Sequence, residues 1–308
     1  MKPQLNFLEV TGAKGISSPR RIAWWDWNAT GREHPDHVVV CVHGLSRQAR
    51  DFDALAQALA PHARVVCVDV AGRGQSDWLA DAMDYQIPTY VADLAALLEH
   101  LRAGHRNATG RDAGLALDWV GTSMGGLIGM ALAAQPQSVR RLVLNDVGPD
   151  IGLASLRRIA TYLGKHAEFP SETAALQVLQ EICAAFGPHS PEQWLALSRP
   201  MLRQSPGGWT LHYDPAIADA FGQMLAAAEQ AAIQPPAESP LWTLYDCIES
   251  SCLLLRGAES DLLTRATAQA MSERGPRARC VEFAGVGHAP SLVQPDQIAV
   301  VKDFLLSQ

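Results

Sequence analysis

Ser123 stands in Gly121-Thr122-Ser123-Met124-Gly125, between an apolar run that ends at Val120 and an apolar stretch over 124–134. A serine flanked by glycines where a strand turns sharply into a helix is lifted clear of the backbone, because the turn leaves no room for neighbouring side chains. The helix N-terminus then aims backbone N–H groups at any negative oxygen formed there. A glycine-rich turn could simply join the two elements, but a strand before and a helix after favour a nucleophile. A serine hydroxyl is a weak nucleophile and needs a base.

Of the ten histidines, His288 in Gly285-Val286-Gly287-His288-Ala289-Pro290 directly follows a predicted strand and lies in a loop, where catalytic groups tend to sit. His34 and His37 flank Pro35-Asp36 and read as solvated; His100 and His105 sit at a helix end. His62, His166, His189 and His212 have no distinguishing context, and no histidine has metal-ligand spacing. A base of this kind is oriented by a carboxylate. Leu253-Leu254-Leu255-Arg256-Gly257-Ala258-Glu259-Ser260-Asp261 offers Asp261, beyond a late strand and 27 residues (288 − 261) before His288. Glu259 is a rival, as is Asp146 in Leu144-Asn145-Asp146-Val147-Gly148. Asp146 reads as a structural hydrogen-bonding residue, so Asp261 is the expected acid. An oxyanion needs two backbone donors; Met124 and, from His43-Gly44-Leu45, Leu45 are the candidates.

These residues need a rigid frame. Short apolar runs at 21–27, 37–42, 64–70, 115–120 and 140–144 read as strands, alternating with helical spacing at 51–60, 88–101 and 124–134. The rhythm returns with strands at 252–255 and 278–283 and helices at 266–272 and 297–306. Continuous apolar strands alternating with helices argue an α/β fold with a mostly parallel sheet covered on both faces. From 149 to 240 helical patterns dominate, at 174–186 and 216–232, with prolines such as Pro235-Pro236 and no strong strand. The expectation is a core domain from 1–148 and 241–308 with a helical cap, 149–240, over the sheet.

Composition narrows the function. At 308 residues, 48% of them hydrophobic, the chain can bury a large core. A net charge of −7 with no like-charged run does not favour nucleic acid or anionic membranes. The first ten residues carry one lysine and no long apolar stretch, so no signal peptide is expected; nor is a membrane span. Six cysteines without a CxxC pair, several inside apolar runs, read as reduced thiols of a cytoplasmic protein. Gly72-x-Gly74 partly matches a dinucleotide fingerprint, but Asp77 occupies the place of the third glycine.

Val42-His43-Gly44, Asp69-Val70-Ala71-Gly72-Arg73-Gly74-Gln75-Ser76-Asp77, the turn Gly121 to Gly126, Arg256 to Asp261 and Gly287-His288 together resemble the α/β-hydrolase superfamily, over nearly the whole chain and in family order. The resemblance implies an eight-stranded, mostly parallel sheet with a helical cap after the sixth strand, the chain order Ser, Asp, His for the triad, and no cofactor. A serine at the turn points away from the related dehalogenases and epoxide hydrolases, which carry aspartate there. The expected activity is ester hydrolysis through an acyl-enzyme. The expected partners are a small-molecule ester and, at most, a second copy of the chain.

The segments around His43-Gly44-Leu45-Ser46-Arg47 and Leu144 to Pro149 are similar to bacterial intracellular hydrolases of short 3-hydroxybutyrate oligomers. Carbon–carbon bond hydrolases and lactonases resemble the same fold and triad, and acyl transfer or a non-catalytic binding module on this scaffold stays open. Arg47, two residues past Leu45, is a candidate for binding a substrate carboxylate. His43, Gly44 and Trp209 are further candidate substrate contacts, although aromatics of a cap, among them Trp194, Trp209 and Tyr213, more often serve packing. Arg157, Arg158, Lys165, Arg199 and Arg203 read as solvated cations.

Overall fold

The structure is a computed structural model that describes residues 1–11, 19–111, 114–165, 168–233 and 238–307. His166 and the Pro235-Pro236 pair lie outside the described residues. The chain runs β1 (Gln4–Val10), β2 (Arg20–Trp27), β3 (His37–Val42), α1 (Asp53–Leu59), β4 (Arg64–Asp69), α2 (Ile87–Thr109), β5 (Ala116–Thr122), α3 (Met124–Ala133) and β6 (Arg141–Asn145). There follow α4 (Leu153–Ala160), α5 (Glu172–Ile182), α6 (Pro191–Ser198), the strands β7 (Leu202–Ser205) and β8 (Gly208–Leu211), α7 (Ile217–Ala231) and α8 (Leu241–Asp246). The chain closes with β9 (Ser251–Gly257), α9 (Arg265–Glu273), β10 (Arg279–Phe283) and α10 (Pro295–Leu306).

Eight strands form one sheet in the order β1-β2-β4-β3-β5-β6-β9-β10. β2 is antiparallel to β1 and β4, and the strands from β4 to β10 pair in parallel. The apolar runs follow from the two covered faces. In β3, Val38, Val40 and Val42 pack on one face while Val39 and Cys41 pack on the other. In β4, Val66 and Val68 oppose Val65 and Cys67 in the same way. Side chains alternate along a strand, so a strand buried on both faces must be apolar throughout. No helix among the described residues is long and apolar enough to cross a membrane.

Three elements differ from the sequence-based expectation. Gln4–Val10 is an edge strand paired with β2; its mixed composition hid it, because only one end of it is buried. The segment between β6 and β9 carries an antiparallel hairpin, β7–β8, besides its helices, with Pro206-Gly207 at the turn. Each strand is four residues long, too short for period-two alternation to stand out. Helix α2 continues past the apolar stripe that ends at Leu101 and stops at Gly110, whose φ of 68° closes the helix.

The segment between β6 and β9 is tied to the core at the turn after β4. Gly74 N–H donates to the His212 carbonyl, and Asp214 N–H donates to the Gly72 carbonyl. These bonds join the turn after β4 to the chain just after β8.

Candidate active site

Ser123 sits between β5 and α3 with φ 51° and ψ −115°, a conformation rare for a side-chain-bearing residue and held only by its surroundings. The flanking glycines follow from contact. A Cβ on Gly121 would lie 2.2 Å from the Gly125 carbonyl oxygen, and one on Gly125 would lie 2.0 Å from the Val42 carbonyl oxygen. Ser123 N–H donates to the Asn145 carbonyl at 3.0 Å, and Trp119 Nε1 donates to the Gly125 carbonyl. These bonds bind the turn to the sheet beneath it.

His288 reaches the serine from the loop after β10. Its Nδ1 lies 2.7 Å from Asp146 Oδ2 and its Nε2 3.0 Å from Ser123 Oγ. A carboxylate only accepts, so Nδ1 carries the proton, and Nε2 is left to accept from the serine hydroxyl. The loop is held on several sides. Asn145 Nδ2 donates to the Pro290 carbonyl, Gly287 N–H donates to the Ala185 carbonyl, and a Cβ on Gly257 would meet the Gly287 carbonyl at 2.2 Å.

The carboxylate on His288 is therefore Asp146, and the expectation of Asp261 is corrected. Asp146 is fully buried with φ 57°. Besides His288 it accepts from Gly257 N–H at 2.9 Å and from the Ser260 hydroxyl at 2.6 Å. Asp261 makes no hydrogen bond to His288. Arg158 of α4 takes both its oxygens at 2.5 and 2.8 Å near the surface, which holds the Asp261 carboxyl below its ordinary range. The reason lies in sheet register. β5 and β6 are neighbours with Thr122 opposite Asn145, so Ser123 and Asp146 emerge side by side, one residue past paired strand ends. Asp261 lies four residues past Gly257, the end of β9, and the intervening turn carries it outward. Glu259 makes only a backbone bond to Val286 in this region.

Leu45 and Met124 line the same cavity as Ser123. Met124 is the first residue of α3, so its N–H has no partner within the helix. The Gly44–Leu45 peptide is fixed at its carbonyl, which accepts from His43 Nδ1 at 2.7 Å and Arg47 N–H at 3.1 Å. Gly44 also lies close to the serine: a Cβ there would be 3.6 Å from Ser123 Cβ. His43 is not a substrate contact. It is fully buried, its Nε2 accepts from Val70 N–H, and burial pushes it down to about 3, so it stays neutral.

Arg47 and Trp209 also lie away from the cavity lining. Arg47 grips Asp51 through two nitrogens at 2.6 and 2.7 Å and donates to the Leu197 carbonyl of α6. Its charge is spent on clamping α6 to the core. Trp209 exchanges two backbone hydrogen bonds with Phe169. Arg157, Arg158 and Arg199 form ion pairs at the surface, and Trp194 packs on His189.

The cavity over Ser123 measures about 440 Å³. Core residues Leu127 and Val147, α4 residues Leu156 and Ile159, and α7 residues Ala220 and Phe221 are among the apolar residues of its wall. Tyr85, Gln86, Tyr90 and Gln223 add neutral polar groups, and no lining residue among those described is charged. Among the described residues no cluster of His, Cys, Asp and Glu could hold a metal. Sequence reasoning missed Asn145 and Ser260, whose side chains hold the histidine loop and Asp146; neither type nor spacing singles them out.

A 3-hydroxybutyrate-oligomer hydrolase of Cupriavidus necator is 43% identical over 98% of this chain and 97% of its own. A pimeloyl-[acyl-carrier protein] methyl ester esterase of Xanthomonas campestris is 26% identical over 85% of this chain and 92% of its own. The crystal structure of an alpha/beta hydrolase from Novosphingobium aromaticivorans superposes with a TM-score of 0.79 at 32% identity, covering 99% of this chain and 98% of that one. The sequence model of the Alpha/beta hydrolase family matches residues 39–301, and with the parallel sheet and the serine turn now described, this chain belongs to that family.

Proposed function

We propose that this chain is a serine ester hydrolase acting through an acyl-enzyme, with Ser123 as nucleophile, His288 as general base and Asp146 as the carboxylate that orients the histidine. The observation that carries the reading is the relay from Ser123 Oγ to His288 Nε2 at 3.0 Å and from His288 Nδ1 to Asp146 at 2.7 Å. As Oγ attacks the ester carbonyl, His288 Nε2 takes the hydroxyl proton and the carbonyl oxygen becomes an oxyanion. The N–H groups of Leu45 and Met124 receive that oxygen. His288 then gives the proton to the leaving alkoxide, the C–O bond breaks, and the alcohol departs. Water, deprotonated by His288, attacks the acyl-serine; its collapse returns the proton to Ser123 and releases the acid.

The substrate class we propose is a short oligoester of 3-hydroxybutyrate. Similarity to the Cupriavidus necator enzyme over nearly both full chains supports it. The cavity suits such an acyl group: mainly apolar walls for methyl and methylene groups, with the side-chain amides of Gln86 and Gln223 for hydroxyl and carbonyl oxygens. Residues 149–240 then act as the cap that closes the cavity, since α4 and α7 form one wall of it. Free buried thiols at Cys41, Cys67, Cys183 and Cys252 suit a reducing, cytoplasmic compartment.

The test is intact mass after treatment with a fluorophosphonate, on wild type and Ser123→Ala, followed by assay of hydroxybutyrate dimers and trimers. One adduct on wild type alone, with release of 3-hydroxybutyrate, is expected. No adduct on folded wild type would end the serine reading. An adduct without oligomer cleavage would leave the nucleophile and remove the substrate.

A further inference from the structure

Arg73 is fully buried in the turn after β4, and the reaction scheme above gives it no role. Its Nε donates to the Leu45 carbonyl at 2.8 Å; its Nη1 donates to the Ala71 carbonyl at 2.6 Å and the Tyr90 hydroxyl at 2.9 Å. Nη2 lies 3.6 Å from Met124 Sδ. The guanidinium carbon is 4.9 Å from the centre of the Tyr90 ring and 5.7 Å from that of Tyr85. Among the described residues no carboxylate stands within ion-pair distance of it. A buried cation without a counter-ion is expensive, and carbonyls and two aromatic faces are what hold this one.

The two residues at either end of the guanidinium are Leu45 and Met124, whose N–H groups are the proposed oxyanion donors. The Gly44–Leu45 peptide is already fixed from its carbonyl side by His43 and Arg47 N–H. Arg73 fixes the next carbonyl, that of Leu45 itself, so Leu45 cannot turn without breaking a charged hydrogen bond on one side or two bonds on the other. The same turn is hydrogen-bonded to residues 212–214, which anchors it from above.

We infer that Arg73 is a positioning residue for the oxyanion hole, holding the Leu45 N–H and the start of α3 at the spacing a tetrahedral intermediate requires. The inference rests on the serine-hydrolase reading above. A guanidinium suits the task because its planar fork reaches several acceptors at fixed angles, which an ammonium group cannot. Misplacing such a donor by an ångström costs up to about 100-fold in rate.

The experiment compares wild type, Arg73→Met and Arg73→Lys on a 4-nitrophenyl ester, with kcat normalised to sites titrated to completion by fluorophosphonate. Affinity for an alkyl boronic acid, which forms a tetrahedral adduct on the serine, is measured beside it. Arg73→Met is expected to lose about 10- to 100-fold in kcat with KM within about threefold, and boronate affinity is expected to fall in parallel. Arg73→Lys, which keeps charge without the fork, recovers only part. A structural role alone would lower the titrated fraction or Tm and leave kcat per titrated site and boronate affinity unchanged. Should Arg73→Met not fold, Arg73→Lys carries the comparison by itself, and a several-fold loss in both readouts is expected of it. Folded variants within twofold of wild type in both would overturn the inference. Wild type that takes no fluorophosphonate would instead overturn the serine reading on which it rests.

Discussion

Replacing Asp146 and Asp261 separately by asparagine tests the site most directly, because sequence and geometry favour different carboxylates. In Asp146→Asn the single amide oxygen could still accept from Gly257 N–H. The amide nitrogen, however, would face Ser260 Oγ and His288 Nδ1, where Asp146 now accepts at 2.6 and 2.7 Å. An amide N–H pointing at Nδ1 favours the tautomer with the proton on Nε2, which cannot accept the Ser123 proton. The imidazolium formed during attack would also lose its carboxylate. Loss of this partner costs about 10⁴-fold in kcat in serine hydrolases, or about 5.5 kcal/mol of barrier. Asp261→Asn breaks only an ion pair whose partners are 38% and 44% exposed. Such a pair is worth roughly 0.2–1 kcal/mol, at most about fivefold in kcat/KM. Initial rates on a chromogenic ester at saturating and limiting concentrations, with Tm of each variant, would settle the matter. If Asp261→Asn lost a thousandfold while Asp146→Asn stayed within tenfold, the assignment to Asp146 would be refuted.

Arg47→Ala is expected to destabilise by about 1–3 kcal/mol, since it leaves the half-buried Asp51 carboxylate without its partner, while changing KM for acidic and neutral esters alike; a selective rise for acidic esters in steady-state assays would restore Arg47 as a substrate contact. Gly125→Ala would force a Cβ to within 2.0 Å of the Val42 carbonyl, so urea unfolding should report several kcal/mol lost and fluorophosphonate should no longer label Ser123; a labelled, stable variant would count against the elbow geometry. His43, pushed down to about 3 by burial, makes folding pH-dependent. Its folded value lies below the unfolded one of about 6.5, so its contribution is complete above that pH and is lost on acidification toward 3, at about 1.4 kcal/mol per pH unit. Asp69, pushed up to about 6, opposes this, since its carboxyl favours folding as pH falls from about 6 toward 3.8. The two separate in the stability difference between wild type and His43→Gln, which should shrink as pH drops below about 6.5; a constant difference between pH 4 and 7 would show that His43 does not titrate on unfolding.

The sequence by itself determined the frame. Valine-rich runs such as Val38-Val39-Val40 can only be strands buried on both faces, and alternation with helices makes the sheet parallel. Gly121 and Gly125 are dictated by carbonyls packed within van der Waals distance of where a Cβ would stand, so the tight turn that carries Ser123, the proposed nucleophile, was legible from local pattern alone. His288 was legible for a similar reason: a glycine-preceded loop directly after a strand. The short hairpin β7–β8 and edge strand β1 were not, because half-exposed or four-residue strands carry too little periodicity. The carboxylate was decided only by tertiary structure. Asp146 and Asp261 both follow apolar strands and both precede His288 in sequence. What separates them is that β6, not β9, lies beside β5. Register sets Asp146 next to the elbow, and hydrogen bonds from Gly257 and Ser260 aim it at the imidazole, while a longer turn delivers Asp261 to Arg158. Spacing along the chain measures neither strand adjacency nor the direction a loop leaves the sheet. The same holds for Arg47 and Arg73: both are buried cations in turns that follow sheet strands, yet one clamps α6 and the other reaches the Leu45 carbonyl, because only packing determines which acceptors a buried guanidinium meets.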